Sequence, residues 1–563
     1  MQRREFLVVS SVGAAHALLG CSIPGASGGR SIYQQLLVQN DARAESLLRR
    51  QQRDPEHPCV GGIPDGHEIY HPGAASGLIC SFAVAYTSPS SRFFQQQEIL
   101  VRVGLACRFL RDVQNDDGTI DLLTTNFHST PDTAFMLEWL CLAVGILRDA
   151  DRPELTTLLA ELDPIILKGA RALSVGGVHT PNHRWVVCMA LARIHQLRPD
   201  PRYVARIDEW LGEGIDIDAD GQFTERSTTV YSPLTDRCLI TVARLLDRPE
   251  LLEPVRRNLE MTLFYLHADG EVVTAASRRQ DQYKVGSLSP YYYPYRYMAQ
   301  QDGNGRFAAA ARWLETHAME RLTRDVAFFA ESRGLHRRLP PVVALPTDYE
   351  KHFAHSDLVR IRRGSRSATL LAQNPTLFSF HRGSAALAVR FASAFFGKGQ
   401  FVGERLRKEG RSWVMEQTLK GPYWQPLTAA RRTGENDWAK TDRATRKASE
   451  VQQLHSIVRL IEMAGVFELE IVIKGSDRVP VSIELGFRKG GTLSGQELTK
   501  GSDGTWLLAS GTGRFEFATD AIEFGPGCRG HTWTVVRGAL PKLDADCVYL
   551  TGFTPFTAKL RFS

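Results

Sequence analysis

Near residue 340 the spacing of apolar side chains changes its period, and no single architecture accommodates both halves of the chain. Before it, "AFMLEWLCLAVGILRDA", "RWVVCMALARIHQL", "DRCLITVARLLDR" and "RFAAAARWLETHAMERL" place apolar residues three and four apart, the spacing of a helix with one buried face. After it, "AALAVRFASAFFG", "HSIVRLIEMAGVFELEIVIKG" and "CVYLTGFTPFTAKLRFS" alternate Val, Ile, Phe and Thr with polar residues, the period of a strand. The join, "RRLPPVVALPTDYEKHFAHSD", is rich in proline and reads as a linker. Helical segments broken by Pro, Gly and Asp loops suit a solenoid or a toroid of helical hairpins. The alternating half suits a sandwich of antiparallel sheets. The expected class is therefore α+β and multidomain: an α/α toroid (an incomplete helical barrel) over residues 31–335, a linker over 336–350, and an antiparallel β-sandwich over 351–563.

The first 21 residues stand apart. Paired arginines, Arg3 and Arg4, precede a short apolar run that ends in Leu18, Leu19, Gly20 and Cys21. The run is shorter than the ~20 residues a spanning helix needs and reads as an export signal of the twin-arginine kind. Its ending resembles a lipobox, which would leave Cys21 as a lipidated membrane anchor. The expected location is thus outside the cytoplasm, periplasmic or membrane-anchored, in a bacterium. No later segment reads as a membrane span. None of the remaining cysteines forms C-x-x-C, and several sit in apolar runs, as Cys188 does in "WVVCMALA". They read as buried free thiols, with a Cys528–Cys547 pair left open. A net charge of +6 over 563 residues is mild. It is no nucleic-acid footprint, though it suits an anionic substrate.

Residues that carry chemistry collect in four loops. They are "LLTTNFHSTPDTAF" with Asn126, His128 and Asp132; "GGVHTPNHRWVV" with His179, Asn182, His183 and Arg184; "DGQFTERSTTVYSPLTDR" with Glu225, Arg226 and Tyr231; and "LFSFHRGSAALAV" with His381 and Arg382. Each has a plain structural reading. Asn182 and Asp132 suit helix N-caps, Glu225 and Arg226 suit a salt bridge, and Tyr231 and His381 suit packed rings with satisfied polar tips. The tyrosines of "SPYYYPYRYM", Tyr292 among them, suit either a sugar-facing surface or an aromatic cluster at a helix start. Trp413, Tyr423 and Trp424 are open to the same two readings.

The order "PNHRW", "DGQFTERSTTVY", "FSFHRG" resembles the heparinase II/III-type polysaccharide lyases, which pair an α/α toroid with a β-sandwich. The resemblance covers most of the chain in layout and only short motifs in identity. It implies β-elimination at a uronic acid, glucuronate-type favoured, to give an unsaturated uronyl product. It implies Tyr231, His183, Asn182 and His381 as catalytic residues, with His381 closing the cleft. It implies Asn126, His128, Arg184, Glu225, Arg226, Tyr292 and Arg382 as substrate-binding residues. Tyr231 falls one residue beyond the family spacing, which keeps Tyr283 and the tyrosine cluster as alternatives. The chemistry fits these residue types. Taking the C5 proton requires donors that damp the adjacent carboxylate, and an amide with an arginine or histidine does this. A histidine serves as base. A tyrosine protonates the departing O4, or does both jobs if cations such as Arg226 or Arg184 favour its ionised form.

Two other classes stay open. A glycoside hydrolase would need two facing carboxylates, for which Asp132 and Glu225 are the candidates. A non-catalytic glycan-binding lipoprotein would need the aromatic residues alone. His352, His355 and Asp357 lie close in sequence without firm ligand spacing, so neither a metal nor a cofactor is expected.

Overall fold

The computed structural model describes residues 30–563, apart from 433, 435, 436, 439, 442, 502 and 503. The expected export signal and Cys21 therefore lie outside the described residues. The chain divides into two units. Among the described residues the helical unit comprises residues 30–265 and Val272–Pro346, and the β unit comprises Leu266–Glu271 and Thr347–Ser563. The later boundary falls inside the 336–350 segment, whose last residues already belong to the strand Asp348–Phe353.

The helical unit is built from α1 (Ile32–Arg50), α2 (Pro72–Thr87), α3 (Gln97–Val113), α4 (Thr130–Asp149), α5 (Thr156–Val175), α6 (Pro181–Leu197), α7 (Pro201–Gly212), α8 (Tyr231–Leu246), α9 (Leu252–Leu263), α10 (Tyr292–Asp302), α11 (Gly305–His317) and α12 (Val326–Glu331). Alternate helices do different jobs. An inner row forms as α2 packs on α4, α4 on α6, α6 on α8, and α8 on α10. The odd-numbered helices α1 to α11 back this row, and α12 packs on α1, α2 and α4. This is the α/α toroid. The sequence explains the division. α7 is strongly amphipathic, with Tyr203 and Ile207 buried, whereas α4 is buried nearly all round. α4 is also long and apolar enough to cross a membrane by composition alone, contrary to the sequence expectation, but it is a core helix of the toroid. Ions inside the row are paired: Glu331 joins Arg193 and Arg244, and Glu138 joins Arg237.

Helix starts are set locally. Ser31 and Gln34 form a reciprocal capping box on α1. Pro sits at the first or second position of α2, α4, α6 and α7, where no N–H is missed. Ser129, rather than Asp132, caps α4, its side chain accepting from the Asp132 N–H. Asn182 is not a cap either: Thr180 holds that position, and Asn182 lies inside the first turn of α6.

The β unit holds two sheets. One has nine strands, in the order Leu498–Lys500, Trp506–Leu508, Asp546–Phe553, Pro480–Phe487, Ala385–Ser393, Phe378–Arg382, Arg366–Leu371, Leu358–Arg363 and Asp348–Phe353. The other has eight, among them the long hairpin Ala448–Met463 with Val466–Gly475. Pairing is antiparallel except between Trp506–Leu508 and Asp546–Phe553, which run parallel. Alternate residues such as Phe467, Leu469, Ile471 and Ile473 face one shared core with Phe380, Leu387 and Val389. The eight described cysteines are all free, so Cys528 and Cys547 are not paired.

Candidate functional site

The site of interest is assembled at the N-terminal ends of α4, α6 and α8. Each helix start leaves unpaired N–H groups and a partial positive charge, which favours anions. The three starts converge. Phe135 of α4 meets the His183 ring edge-on at 6.2 Å, and Asn182 at the start of α6 bonds to Glu225, six residues before α8.

The loop entering α8 is shaped by its own sequence. Asp218 Oδ1 accepts the N–H groups of Asp220 and Gln222. Gly221 has φ +91°, and a Cβ there would lie 2.6 Å from the Arg257 carbonyl, so the Asp-Gly turn admits no side chain. Ser227 then accepts the N–H of Tyr231 at 3.1 Å and so caps α8 from three residues before the cap position. Buried Asp281 ties this loop to the segment 277–283. It accepts from the Ser227 and Thr229 hydroxyls, both at 3.1 Å, from the Thr229 N–H at 3.0 Å, and from Ser277 at 2.5 Å.

That tie brings in two residues that the motif reading did not include, Arg279 and Gln280. The Arg279 guanidinium lies over the Tyr231 ring, 5.1 Å from its centroid, and its Nε is 3.4 Å from Glu225 Oε1. Gln280 Nε2 donates to the Tyr231 hydroxyl at 2.9 Å. Glu225, with its side chain 6 % exposed, accepts the Asn182 N–H at 3.2 Å and Asn182 Nδ2 at 2.6 Å. Asn182 Nδ2 also reaches Thr180 Oγ1 at 3.1 Å. The Asn182 amide thus has its donors committed within the protein, and its buried Oδ1 has no partner among the described residues. Asn182 is a positioning group for Glu225, and through it for Arg279. The cation over the Tyr231 ring is Arg279, and the expected Arg184 is held by Glu213 and Asp216 instead.

His183 sits at the next position of α6, nearly buried, with His179 edge-on at 4.6 Å. Burial, then the neighbouring His179, lower its pKa from 6.5 to about 4, so the ring is a neutral imidazole at neutral pH. Asn126 and Ser129 both donate to Asp132 Oδ2, at 2.9 and 2.5 Å. Asp132 thereby locks the hairpin Ile120–Leu122/Asn126–Ser129 onto the start of α4.

The other expected residues have partners of their own. Arg184 is bound by Glu213 at 3.0 Å and Asp216 at 2.9 Å, and covers Trp185; it braces α6. His128 is exposed and bonded to Asp117 at 2.7 Å, which raises its pKa, while the hydroxyl and N–H of Thr119, then His128, lower the Asp117 carboxyl to about 2. Arg226 adopts φ +46°, and its carbonyl accepts from Arg278 and Ser277. Tyr292 is a core residue, 0 % exposed, donating to Glu315 at 3.0 Å; Tyr291, Tyr293 and Tyr295 are buried with it. The cluster therefore packs the toroid and offers no sugar-facing surface. Trp413 is likewise buried, donating to Glu350, while Tyr423 and Trp424 are exposed. His381 and Arg382 belong to the strand Phe378–Arg382 of the β unit. His381 stacks on His267 with centroids 3.5 Å apart, and burial lowers the pKa of both rings well below the usual histidine value. Among the described residues no group of three His, Cys, Asp or Glu is arranged to hold a metal ion.

No family model matches the sequence, and no curated protein matches it. Solved structures do match. The chondroitin AC lyase of Streptomyces coelicolor A3, solved with chondroitin sulphate, aligns with a TM-score of 0.52 over 96 % of this chain and 80 % of its own, at 14 % identity. Heparinase III aligns with a TM-score of 0.51 over 93 % of this chain and 84 % of its own, at 12 % identity. A Paenibacillus xanthan lyase aligns with a TM-score of 0.54 over 94 % of this chain and 57 % of its own, at 9 % identity. At such identities the likeness is one of fold: this chain has the toroid-and-sandwich architecture in which those lyases are built.

Proposed function

We propose that the protein is a polysaccharide lyase that cleaves a uronic-acid glycan, glucuronate-type favoured, by β-elimination. The observation that carries this reading is the set Tyr231, Arg279 and His183: a half-buried phenol, a guanidinium against its ring, and a neutral imidazole where three helix starts converge. The fold shared with a chondroitin lyase, heparinase III and a xanthan lyase supports it.

In this reading the uronate carboxylate binds Arg279 and the helix N–H groups, which damp its charge and stabilise the enolate-like transition state. His183, neutral, takes the C5 proton. Tyr231 gives its hydroxyl proton to O4 as the C4–O4 bond breaks, and a C4–C5 double bond forms. Glu225 and Asn182 hold Arg279 in place. Asp132 and Glu225, the two carboxylates a hydrolase would use, are engaged by Ser129, Asn126, Asn182 and Arg279 as anchors. A panel of heparan-type, alginate-type and rhamnose-capped glucuronate glycans, followed at the absorbance of the unsaturated product, tests the reading. Turnover that releases reducing ends without that absorbance would refute it.

We further propose export by Arg3 and Arg4 and anchoring through lipidated Cys21. Replacing both arginines by lysine should hold the precursor in the cytoplasm, and Cys21→Ser should release the protein from membranes. Normal export of the first variant, or continued anchoring of the second, would contradict these assignments.

A further inference from the structure

The helical unit contains a further pocket that the proposed chemistry does not use. It is open to solvent and is lined by Arg43 of α1, Gly77 and Ser81 of α2, Trp139 of α4, and the turn residues Thr323 and Arg324. Two arginines on different elements face this one space. Among the described residues neither has a carboxylate within ion-pair distance, whereas Arg193, Arg237 and Arg244 nearby all do. The carboxyl groups that act on Arg324 are otherwise engaged or neutralised: Glu138 is held by Arg237, and burial raises the Asp325 carboxyl to about 7. Burial, then the charge of Arg324, lowers Arg43 to about 10. Such a pair of like charges is relieved by an oxyanion, whose geometry the guanidinium fork matches.

The pocket's place on α4 connects it with the candidate site. Asp132, Phe135 and Trp139 follow the i, i+3, i+7 stripe of one helix face. Phe135 touches His183, and Trp139 lines the pocket. Two helical turns, ~10 Å along the axis, separate Asp132 from Trp139. Both rings are half-buried.

We infer that Arg43 and Arg324 form an oxyanion-binding pocket, which takes a sulfate or carboxylate group carried by a sugar removed from the bond being cleaved. The anion chemistry stands on the pocket alone; its supply by a glycan rests on the lyase reading.

Inorganic sulfate is the first probe, titrated by calorimetry into the folded chain against chloride at equal ionic strength. Saturable sulfate binding is expected, with a loss of tenfold or more in affinity in Arg43→Gln and in Arg324→Gln. Arg324 lies on an exposed turn, so its variant remains folded should Arg43→Gln prove unstable. A melting-temperature series separates binding from sulfate's general salting effect, which acts on wild type and variant alike. No binding to wild type, or equal binding to Arg324→Gln, would overturn the pocket. A sulfated uronic oligosaccharide that also loses affinity in Arg324→Gln assigns the anion to the glycan. An oligosaccharide bound equally by both proteins, with inorganic sulfate still lost, assigns the pocket to a free anion. None of these measurements requires turnover, so a failed pocket leaves the lyase reading untouched, and a failed lyase reading leaves the sulfate titration valid.

Discussion

The guanidinium of Arg279 covers the ring of Tyr231, 5.1 Å from its centroid, while Gln280 holds the same tyrosine's hydroxyl at 2.9 Å. The two residues come from loops 48 positions apart and meet because Asp281 binds Ser227, Thr229 and Ser277. A phenol so placed is oriented by one neighbour and polarised by the other, as an acid–base group requires.

Tyr231→Phe removes one hydroxyl and little volume. The ring still packs under Arg279, so the melting temperature should hold. Loss of a general acid costs about 10² to 10⁴ in rate, and the loss should fall on kcat rather than KM. Steady-state kinetics on a confirmed substrate check this; near-normal turnover would move the acid to another residue.

Arg279→Lys retains the charge but not the planar fork that meets both Glu225 and Tyr231. Its kcat/KM should fall by about tenfold or more, and Arg279→Gln should fall further. Asn182→Ala acts at one remove. It strips the buried Glu225 of a 2.6 Å bond, and an unsatisfied buried group costs about 1 to 3 kcal/mol. Melting temperature and activity should drop together in that variant, and an unchanged melting temperature would argue against the positioning role.

The lowered pKa of His183 sets a pH window. With a folded value of about 4 against an ordinary 6.5, the native state binds fewer protons than the unfolded state between those limits. Stability from this group is complete above about 6.5 and is lost as pH falls toward 4. The base remains neutral over the same range, so the acid limb of kcat/KM should lie near 4. A limb near 6.5 would show a solvated histidine, or another base.

Asp236 of α8 is 0 % exposed, with both carboxyl oxygens unpartnered among the described residues. Burial raises its pKa well above the ordinary 3.8, so the native state binds more protons than the unfolded state above that value. Its contribution therefore worsens as pH rises. Asp236→Asn should flatten the fall in melting temperature as pH rises above the ordinary carboxyl value. Parallel curves for variant and wild type would contradict a buried neutral acid.

The change of hydrophobic period placed the toroid and the sandwich, because helix and strand spacing are local properties of sequence. The site was legible where one loop carries its own geometry, as in Asp220, Gly221, Glu225 and Tyr231. It was not legible where a partner arrives from a distance. Arg279 and Gln280 lie in "SRRQDQY", which has no periodicity or motif of its own, and only the Asp281 bonds reveal its place. The tyrosine cluster misled for a related reason. Tyrosine is both a sugar-facing and a core residue, and the deciding bond, from Tyr292 to Glu315, spans two helices. Arg184 looked available until Glu213 and Asp216 engaged it.

The central claim is elimination at a uronic acid, and its product absorbs where neither substrate nor hydrolysis product does. Wild-type protein and Tyr231→Phe, incubated with the uronic glycan panel, should differ in one respect: ultraviolet absorbance of a conjugated uronyl product rises with wild type in step with new reducing ends, and stays flat with the variant. New reducing ends without that absorbance would contradict the account and assign the site to hydrolysis.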